Sequence, residues 1–422
     1  MKWGAANLRQ LSVLGPQYGA NAGAIERSGK RPRYIRITDI RADGQLLVDG
    51  AVEADIADEN EFKLVDGDLL FARSGNTVGK TYRYKKVDGP SVFAGYLIRF
   101  RFNPDLVDSR YVFFYTQSAD YKQWLLRKRR VGGQPNVNGA EYASLVLPLA
   151  PITEQRRIVD LLEQADVLRR LRAEADQNSD QILPAIFHKM FGDAATNSKN
   201  LPKQTLVEAG AKVRYGLGQP PQSSDTGLPL IRATNIHCGL ITVEDMIYVK
   251  REDVPESRNA FLKAEEVIVV RSGAYTGDIA QVTERWAGSV AGYDMVVSPG
   301  DRFTGEFIES YLLTPLIQRN YFGNIKARAG QPHLNSDQLL NTPMLVPPKP
   351  LQEKFSRFVV TLRNQQVKRS ESLKNLNNLF AAMLHRAFTG ELTAKWREAH
   401  LKELLVEMEH QAKLLRTAAE TN

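Results

Sequence analysis

The chain alternates between segments with strand-like patterns and two long segments with helical periodicity. Short runs rich in β-branched and aromatic residues, such as RYIRITDI, GYLIRFRF and SLVLPLA, are separated by glycine and proline, which is typical of strands. The segments that begin with PITEQRRIV and PLQEKFSRF instead carry apolar residues at the a and d spacing of paired helices. The pattern predicts an α+β protein in which mixed α/β globules alternate with long helices.

The same series of motifs occurs twice along the chain. YIRITDI at 34–40 returns as LIRATNI at 230–236, and RSGNTVG at 73–79 returns as RSGAYTG at 271–277, at offsets of 196 and 198 residues. Three further matches, AGY at 94–96, GQPNVN at 133–138 and an Ala-His-Phe pattern at 185–191, return 197 residues later. Five collinear matches at nearly constant offset predict two copies of one module.

The stretch RSGNTVGKTY at 73–82 resembles a phosphate-binding P-loop but is one residue short. Three residues separate Gly75 from Gly79, whereas a P-loop has four before its Gly-Lys pair. In the second copy the following lysine is replaced by Asp278, which would repel a phosphate. Because strand-like runs precede both copies, the motif predicts a tight turn at a strand end that presents Arg73 and Arg271 to a ligand.

Each long helical segment follows a proline-containing exit from a globule. Pro151 and Pro350 stand three residues before Glu154 and Glu353, whose carboxylates favour a helix N-terminus. Pro184 is expected to end or kink the first helix. The apolar seams predict two helices that lie against each other and leave surface for a partner. To this docking surface we assign Ile158, Leu161, Leu168, Leu373, Leu376 and Phe380.

The residues from Leu392 onward have no counterpart in the first copy. Their apolar positions, which include Leu401 and Leu405, alternate at spacings of four and three, so a charged helix is predicted. We expect it to pack on the helix pair or on a second subunit. An exposed, frayed tail is the alternative.

Composition narrows the choice of partner and compartment. A net charge of +8 favours a polyanionic partner such as nucleic acid. Cys238 is the only cysteine, which excludes an internal disulfide and a multi-thiolate zinc site, and the six histidines lack metal-binding spacing. No membrane span or secretory signal is evident, so a cytoplasmic location is expected.

Several catalytic classes lack their motifs. The sequence has neither a glycine-rich adenosylmethionine loop after a strand nor an Asn/Asp-Pro-Pro-aromatic motif, and no carboxylate cluster typical of a metal-dependent nuclease is evident. The short P-loop argues against an ATPase. Paired motifs without catalytic groups indicate a binding protein with no catalytic residue and no metal of its own.

The ordered motifs Y/L-I-R-x-T-x-I, R-S-G-x-x-x-G, G-Q-P-x-x-N and a helix introduced by P-x-x-x-E, doubled over residues 1 to 390, resemble the specificity subunit of type I restriction-modification systems. The resemblance implies two target recognition domains, each reading one half of a bipartite double-stranded DNA sequence. It also implies that the two long helices pair antiparallel, separate the domains and dock two methyltransferase subunits. S-adenosylmethionine would then bind the methyltransferase subunits, and ATP would bind restriction subunits.

The resemblance and the repeats together give the expected organisation. Residues 1–150 and 196–348 are the two recognition domains, 151–195 and 349–390 are the separator and docking helices, and 391–422 is a C-terminal helical tail. The polar and basic residues expected to contact DNA lie in or beside the repeated motifs: Arg36, Arg73, Ser74, Asn76, Lys80, Arg127, Lys128, Arg129, Arg130, Gln134 and Asn136 in copy one, and Arg232, Asn235, Arg271, Ser272, Tyr275, Lys326, Arg328, Gln331 and His333 in copy two.

Alternatives stay open at this point. The shared arginines and glutamines could instead stabilise the domain fold, while Thr38, Thr234, Asn138 and Asn335 are expected to satisfy backbone groups at turns. At the level of the whole chain, the rival functions are a standalone DNA-modifying enzyme with an unrecognised catalytic domain and a duplicated protein-binding scaffold.

Overall fold

The computed structural model describes residues 3–56, 58–128, 135–237, 239–327 and 332–420, and the side chains of 326, 327 and 418–420 are not among the described ones. It divides into two compact units: unit 1 contains 1–172 and 372–422, and unit 2 contains 173–371. Each unit therefore combines one of the two globules with parts of both long helices. The boundaries proposed above for five separate regions stay predictions.

The first copy contains ten strands and six α-helices among the described residues. The strands are β1 (Gly4–Asn7), β2 (Ser12–Tyr18), β3 (Gly23–Glu26), β4 (Arg33–Ile35), β5 (Val52–Asp55), β6 (Leu69–Ala72), β7 (Thr81–Arg83), β8 (Ser91–Phe93), β9 (Leu97–Phe102) and β10 (Val146–Leu149). The helices are α1 (Leu8–Leu11), α2 (Ser109–Tyr115), α3 (Ala119–Lys128), α4 (Gly139–Ala143), α5 (Ile152–Ser179) and α6 (Ile182–Phe191).

The second copy adds eleven strands and six α-helices within the described residues. The strands are β11 (Lys203–Thr205), β12 (Lys212–Tyr215), β13 (Leu228–Ile231), β14 (Ile236–His237), β15 (Leu240–Ile241), β16 (Ile247–Val249), β17 (Val267–Val269), β18 (Ile279–Gln281), β19 (Val290–Ala291), β20 (Met295–Ser298) and β21 (Pro343–Leu345). The helices are α7 (Gly305–Leu312), α8 (Gly323–Ala327), α9 (Ser336–Leu340), α10 (Lys349–Phe388), α11 (Ala394–Ala399) and α12 (Leu401–Glu420), and a π-helix covers Leu316–Phe322.

The sheets of the two copies share one topology. A four-stranded sheet has the order β2-β9-β6-β7 in copy one and β12-β20-β17-β18 in copy two. A second sheet pairs β4 antiparallel with β5 and parallel with β8, as β13 pairs with β16 and β19. The two-stranded pairs β1-β10 and β11-β21 correspond as well. The internal duplication predicted from the sequence is therefore confirmed at the level of the fold.

In unit 1 the beginning of α5 packs beside the end of α10, and in unit 2 the helix α6, which follows α5, packs beside the beginning of α10. In unit 1, Ile158 of α5 shares a core with Phe380 of α10, and the guanidinium of Arg169 lies 4.5 Å from the Phe380 ring centroid. In unit 2, the ring centroids of Phe187 in α6 and Phe355 in α10 lie 5.6 Å apart. Since each unit joins opposite ends of the two helices, the helices pair antiparallel.

A repeated glutamine fixes each long helix to its globule. In unit 1, Gln155 Nε2 donates to the carbonyls of Leu106 and Ala150 at 3.1 and 2.8 Å. In unit 2, Gln352 Nε2 donates to the carbonyls of Arg302 and Pro347 at 3.0 and 2.8 Å. Both glutamines are fully buried. The structure thus aligns the helices at the 197-residue offset of the other motifs.

This alignment corrects the helix register that the proline and glutamate pattern suggests. Glu154 is fully buried and accepts hydrogen bonds from Trp3 Nε1 at 3.0 Å, Thr393 Oγ1 at 2.6 Å and Arg397 Nε at 2.7 Å. Glu353, its counterpart by sequence pattern, is exposed. Of these two glutamates, only Glu154 accepts hydrogen bonds from the C-terminal tail, because the tail with Thr393 and Arg397 belongs to unit 1.

Two helical stretches of the first copy are interrupted. The stretch 109–128 forms α2 and α3, and Thr116, at the end of α2, shares a 2.7 Å hydrogen bond with Thr81 of β7. The first long helix ends at Ser179, and Pro184 lies in the first turn of α6, where its missing N–H costs nothing. The expected interruption near this proline is confirmed.

The C-terminal tail packs within unit 1. Gln411 Nε2 donates to the carbonyl of Leu106 at 2.9 Å, and Leu404 is 1% exposed. Leu401 and Leu405, assigned to the apolar seam from their spacing, are 42% and 46% exposed. The helical tail is confirmed, but its buried face is shifted by one residue from the predicted one.

Candidate nucleic-acid interface

The R-S-G motif forms a turn between two adjacent strands in both copies. Arg73 follows β6 and the chain re-enters the sheet as β7, while Arg271 lies between β17 and β18. Gly75 and Gly79 have φ of +66° and +88°, a region that side chains with a Cβ disfavour. The predicted strand-end turn is confirmed, and since a strand follows it, the motif has no helix N-terminus for phosphates as a P-loop does.

The structure brings this turn together with the described part of the repeated motif G-Q-P-x-x-N, which is 135–138 in copy one and 332–335 in copy two. The amide of Val137 donates to the Arg73 carbonyl at 2.9 Å, and the amide of Leu334 donates to the Arg271 carbonyl at 2.8 Å. Isolated bridges join Ser74 to Asn136 and Ser272 to His333. Two motifs about 60 residues apart in sequence therefore form one surface in each unit.

Each motif arginine stacks on tyrosine. The Arg73 guanidinium lies 4.8 Å from the Tyr18 ring centroid, and the Arg271 guanidinium lies 4.6 Å from that of Tyr215 and 4.3 Å from that of Tyr293. Among the described residues, no hydrogen bond or ion pair engages either guanidinium, and the Nε atoms are shielded from solvent. Both cations are thus held in place by aromatic rings, while their Nη donors have no partner among the described residues.

Tyr18 and Tyr215 are fixed by backbone amides that directly follow the same loop. The Tyr18 hydroxyl accepts from the Gly139 amide at 2.9 Å, and the Tyr215 hydroxyl accepts from the Ser336 amide at 2.9 Å. Asn138 and Asn335, immediately before these amides, cap α4 and α9 with their side chains, as expected. We call the surface formed by the R-S-G arginine, its stacked tyrosines and the P-x-x-N residues 135–138 or 332–335 the arginine-tyrosine site.

The stacking tyrosines Tyr18, Tyr215 and Tyr293 are not among the residues predicted from the sequence to contact DNA. A signal existed, because Tyr18 and Tyr215 are 197 residues apart, the offset of the other repeats. Tyr293 belongs to the repeated AGY motif, and its counterpart Tyr96 is 62% exposed. Exposed aromatic rings beside a free arginine suit stacking and hydrogen bonding to nucleotides.

Other predicted residues lie at the edge of this site. Asn76 is exposed, and Asn136 Oδ1 is shielded from solvent without a partner among the described residues. Tyr275 is 41% exposed, and its ring packs edge-on against His237 at 5.6 Å. His333 is partly buried in the loop beside Ser272. These positions differ between the copies, so they suit different contacts in the two units.

Four predicted DNA-contacting residues are instead engaged within their own domain. Arg36 donates from Nη2 to Asp39 Oδ1 at 2.8 Å and to the Gly50 carbonyl at 3.1 Å. Lys80 Nζ donates to the Ile40 carbonyl at 3.0 Å.

Copy two repeats this arrangement around the second Y/L-I-R motif. Arg232 Nη2 donates to the Asp245 carbonyl at 2.5 Å. Asn235 is fully buried, and its Nδ2 donates to the Glu244 carbonyl at 2.8 Å. These hydrogen bonds stabilise the loops after β4 and β13 and favour the alternative that Arg36, Lys80, Arg232 and Asn235 stabilise the domain fold, while their contact with DNA stays a prediction.

The basic cluster at the end of α3 is only partly described. Arg127 is exposed and Lys128 is partly buried at the C-terminus of α3. The remaining predicted contacts Arg129, Arg130, Gln134, Arg328 and Gln331, and the side chain of Lys326, lie outside the described residues.

The predicted docking residues divide between core and surface. Ile158 and Phe380 are 0% and 4% exposed and pack inside unit 1, so we correct their assignment to a partner surface. Leu161, Leu373 and Leu376 are partly buried. Leu168 is 61% exposed and is accompanied by other large apolar side chains exposed on the long helices, which are Val167, Leu171, Phe358, Val360, Val367 and Leu379.

No group of metal-ligating side chains occurs among the residues that the structure describes. In the same part of the chain, no helix combines the length and the apolarity needed to cross a membrane.

Comparisons with known proteins point to one class. Residues 21–177 match the family model for the type I restriction modification DNA specificity domain. The specificity subunit of the type I restriction enzyme EcoKI from Escherichia coli K12 is 22% identical over 320 residues, which is 69% of this chain and 67% of the relative. The resemblance identified from the sequence motifs is confirmed.

Solved structures share the fold. The S subunit of a type I restriction-modification system from M. genitalium has a TM-score of 0.57 at 13% identity, covering 92% of this chain and 96% of that one. A chain solved in work on complex assembly and conformational transition of the type I R-M system has a TM-score of 0.53 at 16% identity, covering 93% and 98%.

Proposed function

We propose, starting from the match of residues 21–177 to a DNA specificity domain, that this chain is the DNA-recognition subunit of a type I restriction-modification enzyme. In this proposal each globule reads one half of a bipartite double-stranded target, and the chain itself carries no catalytic residue. The helix pair sets the spacing between the half-sites and docks two methyltransferase subunits.

The single observation that carries the proposal is the duplicated arginine-tyrosine site. Arg73 and Arg271 each offer guanidinium donors that no other described group engages, beside exposed aromatic rings. A guanidinium of this kind can contact the O6 and N7 atoms of guanine through two parallel hydrogen bonds, or a phosphate group. Because the stacked rings fix its direction in advance, little side-chain entropy is lost on binding.

Partner subunits would bind the exposed apolar side chains of the long helices. Leu168 and Leu171 on α5, and Phe358 and Val367 on α10, expose large apolar surface that a helical partner could cover. In a type I enzyme, S-adenosylmethionine and ATP would bind the methyltransferase and restriction subunits. The assembly would work in the cytoplasm, where its DNA is found.

The test compares Arg73→Ala and Arg271→Ala in the complex reassembled with the cognate methyltransferase subunits. Loss of a two-fold hydrogen-bonded base contact costs about 1–3 kcal/mol, so each variant should bind the target about 5- to 150-fold more weakly. Each should also relax the sequence requirement in one half-site only, as methylation mapping by sequencing would reveal. Arg258→Ala, in an exposed turn of unit 2, is the matched control and should leave binding unchanged.

Three outcomes would count against the proposal. Methyl transfer by the isolated chain would indicate a standalone modifying enzyme. Salt-insensitive absence of duplex binding in the assembled complex would indicate a protein scaffold. Equal relaxation of both half-sites by either variant would show that the two units do not read the target separately.

A further inference from the structure

Unit 2 contains a cavity of about 850 Å³ beside the interruption between α5 and α6. Its walls come from 179–181 and α6, from the end of α7 and the residues after it, and from α10. Leu183, Phe187, Leu313 and Val359 give it an apolar surface. A volume of several hundred Å³ with apolar walls is in the range of small-molecule sites.

The first unit shows why this space is open. The amides of Asp108 and Thr304 donate to the equivalent glutamines, to Gln155 Oε1 at 2.9 Å and to Gln352 Oε1 at 3.0 Å. The helices α2 and α7 therefore correspond at an offset of 196 residues, which pairs Phe114 of unit 1 with Ser310 of unit 2. Phe114 is 2% exposed in the core of unit 1, whereas Ser310 lines the cavity. One aromatic ring is therefore missing from the second copy at this position.

A second residue difference between the copies enlarges the same cavity. Phe380 packs its ring 6.3 Å from that of Phe114 in unit 1. Its counterpart in unit 2 is Leu183, which lines the cavity and is only partly buried. Two positions that carry phenylalanine in one copy thus carry smaller residues in the other, and both changes fall on one cavity.

The cavity also contains a buried polar group without a partner. Ser310 is 9% exposed, and its Oγ is shielded from solvent without a hydrogen-bond partner among the described residues. A hydroxyl left in this state is destabilising, so a bound molecule that offers it a hydrogen bond would be favoured.

The charged groups around the cavity balance one another. Burial raises the pKa of Glu309, and the facing guanidinium of Arg363 opposes this rise. Glu309 Oε2 accepts from Arg363 Nη2, and Glu309 Oε1 accepts from the Gln281 amide at 2.8 Å. The remaining charged residues of the lining have both signs, namely Asp180, Asp193 and Arg369. Such a lining favours an uncharged occupant.

We propose that this cavity binds an uncharged, planar aromatic small molecule whose ring carries a hydrogen-bonding group directed at Ser310. The ring takes the space that Phe114 fills in unit 1, and the polar group satisfies Ser310 Oγ. The lining includes Ser179 of α5 and Leu183 of α6, so the occupant contacts both helices that flank the interruption. The proposal is independent of DNA recognition.

Indole is a suitable probe because its N–H can donate to Ser310 Oγ, and calorimetric titration of the full-length chain measures its binding. The wild-type chain should bind indole saturably. Ser310→Phe restores the residue of the first copy, fills the cavity and should abolish binding. Ser257→Phe makes the same change in an exposed turn and should bind indole as the wild type does.

A smaller change keeps the test decisive if Ser310→Phe fails to fold. Ser310→Ala preserves the volume and removes one hydrogen bond, so indole should bind about five- to tenfold more weakly. The same variant should bind 1-methylindole, which has no N–H, as the wild type does. Absence of saturable indole binding by the wild-type chain, as expected of a cavity that holds only water, would overturn the proposal. Equal indole affinity of the wild type and Ser310→Ala would overturn the role of Ser310.

Discussion

Asp294 is a buried carboxyl group directly behind the arginine-tyrosine site of unit 2. It is 3% exposed, and its Oδ1 accepts from the Arg271 amide at 3.2 Å. Burial raises the pKa of Asp294 from 3.8 to about 6, although the Arg271 amide and charge act against the rise. The corresponding residue of the first copy is Leu97, also fully buried. Only the second unit therefore carries this titratable group.

The raised pKa makes the stability of unit 2 depend on pH. A carboxyl whose folded pKa exceeds its unfolded value contributes stability that is complete below pH 3.8 and is lost as the pH rises through about 6. The shift of about two units corresponds to about 3 kcal/mol. Asp294→Asn should remove this loss, so between pH 3 and pH 7 the variant should lose about 3 kcal/mol less unfolding free energy than the wild type.

Chemical denaturation at several pH values, followed by hydrogen exchange of β17 and β20, measures this difference. Asp253→Asn, at an exposed carboxylate of the same unit, is the control and should follow the wild-type pH profile. Parallel profiles for wild type and Asp294→Asn would contradict the assignment of the pH dependence to this group.

At the scale of single residues, the sequence identified the repeated arginines but not which of them are free. Arg36 and Arg73 both lie in repeated motifs, and both copies preserve them as Arg232 and Arg271. The difference comes from neighbours distant in sequence: Arg36 reaches the Gly50 carbonyl, whereas Arg73 meets the ring of Tyr18. Motif spacing contains no information on such contacts. Only the folded structure therefore distinguishes arginines that are hydrogen-bonded within their domain from arginines whose guanidinium can bind a ligand.

Among the elements, the C-terminal tail stabilises the start of the first long helix. Gln411 of α12 and Gln155 of α5 both donate to the carbonyls of Leu106 and Ala150. The Thr153 amide donates in turn to Glu407 Oε2 at 2.9 Å. A periodic pattern predicted the helix, but its partner could not be predicted, because contacts more than 250 residues apart leave no local signal.

Truncation after His400 should therefore destabilise unit 1 while leaving unit 2 unchanged. The loss of Leu404 burial and of the Gln411 hydrogen bonds should cost about 3–5 kcal/mol. Hydrogen exchange resolved by segment should show faster exchange in α1 and the first turns of α5. Truncation after Arg416, which keeps Leu404 and Gln411, is the control and should protect these segments as the full chain does. Similar acceleration in β17 and β20 would show that the tail acts on both units.

The break between α5 and α6 and the break between α2 and α3 have different origins. Pro184 gave a sequence signal for the break between α5 and α6, although the break lies a few residues earlier, at 180–181. The break between α2 and α3 gave none, since Thr116 is compatible with a helix and its hydrogen bond to Thr81 depends on the neighbouring strand. The break between α5 and α6 therefore comes from the covalent geometry of proline, whereas the break between α2 and α3 comes from a tertiary contact.

For the molecule as a whole, duplication made the architecture predictable from one sequence. Every motif match gave an offset within one residue of 197, so errors in single elements did not affect the order of globules and helices. The helix register was the exception. Proline and glutamate spacing paired Glu154 with Glu353, whereas the buried glutamines Gln155 and Gln352 keep the common offset. Helix-start residues are frequent in any sequence, and their spacing specifies a register less strongly than buried hydrogen bonds do.

The proposed spacing function leads to a prediction about the length of the helix pair. Each unit contains the start of one long helix and the end of the other, and the units divide after Arg172 in α5 and after Glu371 in α10. Seven residues inserted at both points add two helical turns, about 10.5 Å, and change the facing sides by only about 20°. Packing inside each unit should therefore be preserved.

With DNA rising about 3.4 Å per base pair, the insertion should lengthen the gap between the half-sites by about three base pairs. Both half-sites should stay the same, because neither arginine-tyrosine site is altered. Methylation mapping with the reassembled complex measures gap and half-sites together. Inserting the seven residues in α5 alone is the matched control: it shifts one helix against its partner and should prevent assembly. An unchanged gap with both insertions present would show that the paired helices do not set the spacing, since a rigid separator two turns longer cannot present its recognition sites at the original distance.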